Sequence, residues 1–506
     1  MENRKEWIKR AYEEYEKLDI RNLDKIGLGR YDDEYYVVGL YHPLRSMSHI
    51  TTNKECINEF LSDNFHQNVD IYIHVPFCYK NCTFCHFYKE IIPSKKPNDL
   101  EAKYIAALKK EILFYKNFNK GSLNVNSIQF GGGTPSSLSV SALEELTEFL
   151  SNNFNIMPNA EIKFEFYPDQ IECEDEFRKK LNILKRFGLN CVIIDLEATS
   201  PNVLKAIARE NTSYENYLKM IEICKSEGIS NIGSAFIVGL PNETLDSFAE
   251  TLEKITGIEA LSAINLFPLM CKPSDITFKD RLNYPSKYSS ALERDVMYIM
   301  AKQVLKDYGF IESPTQYFSR NTFIPKQQTS KANSGNLLGL GPASFGFLNG
   351  NNKSIQYMNY PNLEEYCNAT NSGTNGMWRS SILNKKQTGL RQFMFQLNSF
   401  KYANKDDIYC ETGFNVDSEL GDKIKFLLEH QLLEYNNNNE IKFTKRGQFR
   451  NAEILFNFTE EDRRIWNKND PEYATLVKYD YFPNISYQNQ LLFNNALLHW
   501  NDKNAK

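Results

Sequence analysis

Cys78, Cys82 and Cys85 stand in one short stretch with the spacing C-x3-C-x2-C, whereas the other seven of the ten cysteines are scattered along 506 residues. Three thiolates in one loop can hold three corners of an iron–sulfur cube and leave the fourth iron open to a ligand. An open coordination position distinguishes reactive metal sites from closed structural ones, a rule stated for zinc that extends to this case. Zinc is the first alternative, with His74 or His86 as a fourth ligand. Three ordinary core thiols are the second.

The elements around the triad say where it must sit. Short apolar runs at 71–75, 127–130, 162–167, 191–196, 234–240 and 262–269 read as buried parallel strands. Between them, 100–118, 141–150, 175–187, 214–227 and 244–255 read as helices. In the fourth of these, Tyr217, Met220, Ile221 and Cys224 make one apolar face, and Gly188 and Gly228 occupy helix C-caps. Strands alternating with helices imply an α/β fold, a parallel sheet closed into a partial (β/α)6 TIM-like barrel. Chemistry in such folds collects at the C-terminal ends of the strands, which is where the cysteine loop falls.

After about Cys271 the alternation stops. A Gly-rich apolar segment at 337–347 and a polar turn at 349–352 lead to a helical region from Thr388. A helix at 423–430, strands at 432–435 and 440–443, the Asn-rich turn at 436–439 between them and the 444–447 segment that follows describe a C-terminal winged-helix-like α+β domain. The expected division is 1–65 helical extension, 66–275 barrel, 276–380 connecting region, 381–457 winged-helix-like cover and 458–506 tail.

Composition narrows the function classes. Hydrophobic residues are 42%, charged residues 24% and aromatics 13%, which excludes a disordered chain, a collagen-like fibre or a coiled-coil rod. A net charge of -5 argues against nucleic acid as a partner. No apolar stretch approaches the roughly 20 residues that span a bilayer, and the N-terminus lacks a signal-peptide core. The expected setting is the cytoplasm, away from membranes, where clustered thiols stay reduced.

The segment from Tyr72 to Cys78 (Y-I-H-V-P-F-C), followed by Cys82 and Cys85, resembles the cluster loop of radical S-adenosylmethionine (SAM) enzymes. It is most similar to the branch typified by oxygen-independent coproporphyrinogen III oxidase. In order along the chain, 130–135 (F-G-G-G-T-P), Glu165, 239–241 (G-L-P) with Glu243 and Thr244, 339–341 (G-L-G) and 388–391 (T-G-L-R) carry the resemblance over roughly 66–455. It implies a [4Fe–4S] cluster on Cys78, Cys82 and Cys85, and one or two molecules of SAM. It further implies reductive cleavage of SAM to a 5′-deoxyadenosyl radical, with a flavodoxin- or ferredoxin-type protein as electron donor.

By the same resemblance Gly132, Gly133 and Thr134 line the methionine moiety, and Glu165 takes its ammonium group. Arg209 reaches its carboxylate, Phe84 and the backbone of Ile237 meet adenine, and Tyr72 lies between cofactor and substrate. Strand alternation independently places Glu165 on the face opposite Phe164 and Phe166. Departures from the branch bear on the reaction. Glu197 replaces a common Gln that contacts ribose, Ala235 replaces an acid of the fifth strand, and Phe87 replaces a fourth cysteine of the oxidase. The haem-chaperone His-Asn…Tyr-Trp motif is missing from 331–336. The expected activity is class C-type methyl transfer or C–C bond formation on a small aromatic or tetrapyrrole substrate. The alternatives are oxidase-like tetrapyrrole or haem modification, and non-catalytic haem trafficking.

Overall fold

The computed structural model describes residues 2–30, 41–62, 68–92, 99–118, 123–272, 275–313, 315–320, 323, 325–373, 375–400, 402–436, 438, 440–459, 469–480 and 487–504. The expected boundary at 65/66, parts of the 436–439 turn and parts of the tail lie outside these residues.

Six parallel strands follow one another in space as in sequence: β1 (Asn68–Val75), β2 (Asn124–Gly132), β3 (Asn155–Phe166), β4 (Cys191–Glu197), β5 (Asn231–Val238) and β6 (Leu261–Pro268). Parallel neighbours need a crossover, supplied by α1 (Asp99–Phe118), α2 (Val140–Asn153), α3 (Glu174–Phe187), α4 (Tyr214–Ser226) and α5 (Leu245–Thr256). β1 and β3 show the alternation most plainly. Val69, Ile71, Ile73 and Val75 of β1, with Ile162, Phe164 and Phe166 of β3, are buried in one core with Leu108, Leu146 and Leu181 of the helices. The opposite face is polar: Asp70, Tyr72 and His74 on β1, and Glu161, Lys163 and Glu165 on β3. Asp70 accepts from Ser127 at 2.6 Å, and Lys163 pairs with Glu161 at 3.4 Å. A short helix, Lys326–Ala332, meets this face at the N-terminal ends of the strands, where the Lys326 amide donates to Glu161 and Gln327 donates to the Ile71 carbonyl.

The sheet does not stop where the sequence rhythm does. β7 (Asn336–Leu340) pairs parallel with the free side of β1, and β8 (Phe345–Asn349), β9 (Lys353–Asn359) and β10 (Met377–Asn384) continue it as an antiparallel meander. The part of 276–380 read as a connection therefore supplies strands to the barrel sheet, which has 13 strands among the described residues. β7, β8 and β9 follow one another through short turns and pair antiparallel, and a helix, Leu363–Asn371, leads from β9 to β10, so no regular strand–helix alternation announces them. The winged-helix-like region holds Val416–Glu429, then Leu433–Tyr435 and Ile441–Phe443 paired antiparallel, with Tyr402–Ala403 on the sheet's other side. It has its own apolar core, including Ile408, Leu420, Leu427 and Phe443. The tail packs back through Tyr473–Tyr479: Arg45 binds Asp480 at 2.9 Å, and the Tyr479 ring centroid lies 6.4 Å from that of Tyr88. Among the described residues, no helix is long and apolar enough to cross a membrane.

One buried carboxyl ties the meander to the end of β1. Glu111 of α1 is fully buried and accepts from the Gly341 amide at 2.8 Å, Asn359 at 2.7 Å and the Tyr366 hydroxyl at 2.5 Å. Gly341 (φ +88°) approaches β1 so closely that a Cβ would stand 2.6 Å from the His74 carbonyl. Burial pushes the Glu111 carboxyl up to about 8 in spite of these donors. The folded state thus holds this proton over a range in which the unfolded chain, near its ordinary 4.5, has lost it. The group's contribution to stability is fully present below about pH 4.5 and is lost as pH rises through about 8. Urea midpoints measured from pH 5 to 8.5 should fall less steeply in Glu111→Gln than in the native chain; equal slopes would refute the assignment.

Candidate active site at the mouth of the barrel

The cysteine loop leaves the C-terminal end of β1 and is pinned at its base. Phe77–Cys78 pairs with Glu90–Ile91, and the amides of Glu90 and Ile92 donate to the carbonyls of Pro76 and Cys78. Each cysteine has a polar neighbour from another element or from the loop's far limb. Thr134 Oγ1 lies 3.3 Å from Cys78 Sγ, Arg209 Nε donates to Cys82 Sγ at 3.3 Å, and Lys89 Nζ donates to the Cys85 carbonyl at 3.0 Å. Burial pushes the Cys78 thiol up to about 11, so a thiolate there needs a metal or cationic partner. Among the described residues, no three of His, Cys, Asp and Glu converge as ligands of a single ion. In a four-iron cube each thiolate takes its own iron. His74 is engaged elsewhere: Nε2 is 3.0 Å from the Tyr88 carbonyl and Nδ1 is 3.3 Å from the Tyr72 hydroxyl. Burial lowers its pKa to about 4.

Behind the loop lies a cavity of about 250 Å³. Gly132, Gly133 and Thr134 form one wall, with the Gly133 and Thr134 amides each 2.8 Å from the Val75 and Phe77 carbonyls they donate to. A Cβ on Gly133 would meet those two carbonyls at 2.9 and 2.8 Å, and Gly132 holds φ +111° against the His74 ring. These glycines let bare backbone face the cavity.

Glu165 of β3 and Asp195 and Glu197 of β4 form the facing wall. A bulge at the end of β4 matters to this placement. Asp195 pairs with Ala235 and Glu197 with Phe236, so Leu196 is the extra residue, and both acids turn toward the cavity. Glu197 takes φ +69° to do so, a left-handed conformation that costs a side chain on the order of 1–2 kcal/mol.

Arg209 is the buried cation among these acids. It pairs with Glu197 at 3.2 Å, donates to the Asp195 carbonyl at 2.9 Å, and lies 4.6 Å from the Tyr167 ring centroid and 5.5 Å from that of Phe84. Burial raises the carboxyl pKa of all three acids. Glu165 is pushed further by Asp195 and partly relieved by a 2.8 Å bond from Gln129; Arg209 relieves Asp195 and Glu197. On this wall three acids face one guanidinium, while Lys80, Lys89, Asp169 and Glu172 also line the cavity.

The structure thus brings Cys78, Cys82, Cys85, Phe84, Gly132, Gly133, Thr134, Glu165, Glu197 and Arg209 onto one cavity. Two of the residues singled out by sequence stand off its wall. Tyr72 lies behind Gly131, where a Cβ would be 3.0 Å from its ring and 2.9 Å from Glu165. Ile237 and Phe84 pack on the same small apolar cluster that includes Ala198, Ile207 and Leu240. The sequence reading passed over Asp195, Tyr167, Gln129 and Lys89. Asp195 and Tyr167 had a usable signal, since they stand two residues from Glu197 and Glu165 in extended chain; Lys89 reaches the site only through loop geometry.

Residues 72–255 match the Radical SAM superfamily, and the chain carries that domain. Its curated relatives include oxygen-independent coproporphyrinogen III oxidases and heme chaperones. It is 25% identical over 384 residues to the heme chaperone HemW of Buchnera aphidicola subsp. Schizaphis graminum, covering 75% of this chain and 95% of the relative. It is 25% identical over 253 residues to the oxygen-independent coproporphyrinogen III oxidase of Bradyrhizobium diazoefficiens, covering 50% of this chain and 54% of the relative. The solved coproporphyrinogen III oxidase HemN of Escherichia coli has the same fold, with a TM-score of 0.71 at 20% identity over 82% of this chain and 94% of that one.

Proposed function

We propose that this chain holds a [4Fe–4S] cluster on Cys78, Cys82 and Cys85, binds SAM in the adjoining cavity, and carries out class C-type methyl transfer or C–C bond formation on an aromatic or tetrapyrrole substrate. The observation that carries the reading is the shared wall: the three thiols and the Gly132–Glu165–Arg209 lining belong to one cavity. When bound, the cluster supplies the electron that cleaves SAM to a 5′-deoxyadenosyl radical. The protein's own part is binding and orientation. Bare backbone at Gly132 and Gly133 admits the methionine end, and Glu165, held by Gln129, accepts from its ammonium group. That cation favours the ionised carboxylate against the burial that raises its pKa. Arg209 offers positive charge beside Cys82 and steadies Glu197. Tyr72, bonded to His74 behind Gly131, is proposed to lie between SAM and substrate. A flavodoxin- or ferredoxin-type protein is the proposed electron donor.

A second reading, haem trafficking without turnover, is favoured by the haem-chaperone relative aligned along 95% of its own length. Anaerobic reconstitution separates the two. The enzyme reading expects reduced protein to convert SAM to 5′-deoxyadenosine, with S-adenosylhomocysteine appearing beside it if methyl transfer occurs. An intact four-iron cluster with no cleavage of SAM would instead favour trafficking.

A further inference from the structure

Among the described residues, the cations lining the cavity are Lys80, Lys89 and Arg209. Lys80 is held by Asp169 at 3.2 Å and is 33% exposed, and Lys89 Nζ donates to the main-chain carbonyls of Cys85 and Phe87. Arg209 is the buried one, and the protein itself engages every nitrogen of its guanidinium. Nε donates to Cys82 Sγ at 3.3 Å, Nη1 donates to the Asp195 carbonyl at 2.9 Å, and Nη2 pairs with Glu197 at 3.2 Å.

Two of these acceptors come from the two sides of the bulge at Leu196, and the φ of +69° at Glu197 fixes where its carboxylate leaves the strand. The ion pair is thus built by the main chain of β4, in a place where little water reaches either partner. A guanidinium receives a carboxylate best through two parallel N–H···O bonds. Either such approach uses Nη2, with Nε or Nη1 beside it, and Nη2 is the nitrogen that Glu197 holds. A carboxylate entering the cavity would also meet the like charge of Glu197 at close range. SAM brings one carboxylate, along with its ammonium and sulfonium groups.

We propose that Glu197 is an internal competitor for Arg209: the carboxylate of SAM gains the guanidinium only as Glu197 releases it, so that Glu197 lowers the affinity for SAM. This rests on the reading of the cavity as a SAM site. Glu197 acts through Arg209 and is a positioning residue. Exchanging its carboxylate for an amide leaves a buried guanidinium short of a counter-charge, which the ligand's carboxylate then supplies. The gain belongs to ligands that carry a carboxylate, and this separates it from a mere change in the charge of the wall.

The test is anaerobic titration calorimetry on cluster-loaded protein at pH 8, above the value of about 7 to which burial raises Glu197. The ligands are SAM and decarboxylated SAM, which keeps the adenosine, sulfonium and amine and lacks the carboxylate. Glu197→Gln should bind SAM about tenfold more tightly than the native chain does, the scale of one hydrogen bond to a charged group. Its affinity for decarboxylated SAM should not rise. Glu197→Gln combined with Arg209→Gln should lose the gain, which places it on the guanidinium. A gain in affinity is also something a misfolded variant could not show. Unchanged or weaker binding of SAM by Glu197→Gln overturns the inference while leaving the SAM site standing, and so does an equal gain for both ligands. If neither the native chain nor Glu197→Gln binds SAM, the reading of the cavity fails, and this inference with it.

Discussion

Replacing Cys82 with Ala should yield a folded chain that assembles no intact four-iron cluster and cleaves no detectable SAM. The fold should survive because Cys82 is only half-buried and its loop is held by main-chain bonds at Pro76 and Cys78 rather than by the thiol. Arg209 loses one contact but keeps Glu197 and the Asp195 carbonyl. The cluster should not survive, because three thiolates are the whole complement the loop offers and removing one leaves a second iron without a protein ligand. Iron content, visible absorbance and 5′-deoxyadenosine formation read the outcome. Cys410→Ala is the control, an exposed thiol whose loss should change none of these. Full iron content in Cys82→Ala would sink the ligand assignment.

The second large effect is on stability. Arg209→Ala should destabilise the protein by about 3–5 kcal/mol, the usual cost of removing one member of a buried ion pair. Its side chain is 10% exposed and that of Glu197 is 8% exposed, so little water is available to take over. The loss should depend on pH in a definite direction. Arg209 lowers the pKa of Glu197 and Asp195 against the burial that raises both, so without it both carboxyls titrate still higher. The variant's deficit is therefore smallest where the acids are protonated and grows as pH rises above the ordinary carboxylate range. Arg209→Lys should recover only part of the loss, since an ammonium cannot reproduce the guanidinium's contacts to Glu197, Asp195 and Cys82 together. Urea denaturation at pH 5 and pH 8 checks both points; a deficit below about 1 kcal/mol at pH 8 would show that the pair is solvated.

The sequence made some of this legible for identifiable physical reasons. β1 to β6 could be found because a parallel strand buried by helices must be a short apolar run, and its crossover must be a helix of regular period. Glu165 stood out because a carboxylate among Phe164, Phe166 and Tyr167 breaks that apolar pattern. β7 to β10 were hidden because they break the strand–helix alternation: the first three are joined by short turns, and the apolar run at 337–347 was visible without a partner strand to assign it to. Asp195 was missed for another reason. In sequence it is one acid at the end of an apolar strand. Its two-residue spacing from Glu197 was the available signal, and the shared cavity lining and the register with Ala235 show the two acids on one wall.

The pairing of β7 with β1 also governs how the molecule can be made and divided. β1 launches the cysteine loop, yet the strand on one of its two sides comes from more than 260 residues further along the chain, as in Gly339 opposite Tyr72. Contacts so distant in sequence are slow to form, and until they do β1 presents an unpaired edge to other chains. A fragment cut after β6 would contain every cysteine and glycine of the site but would keep that edge bare. Such a piece should aggregate rather than fold, so the smallest autonomous unit must extend at least through β7, well beyond the stretch that defines the superfamily match.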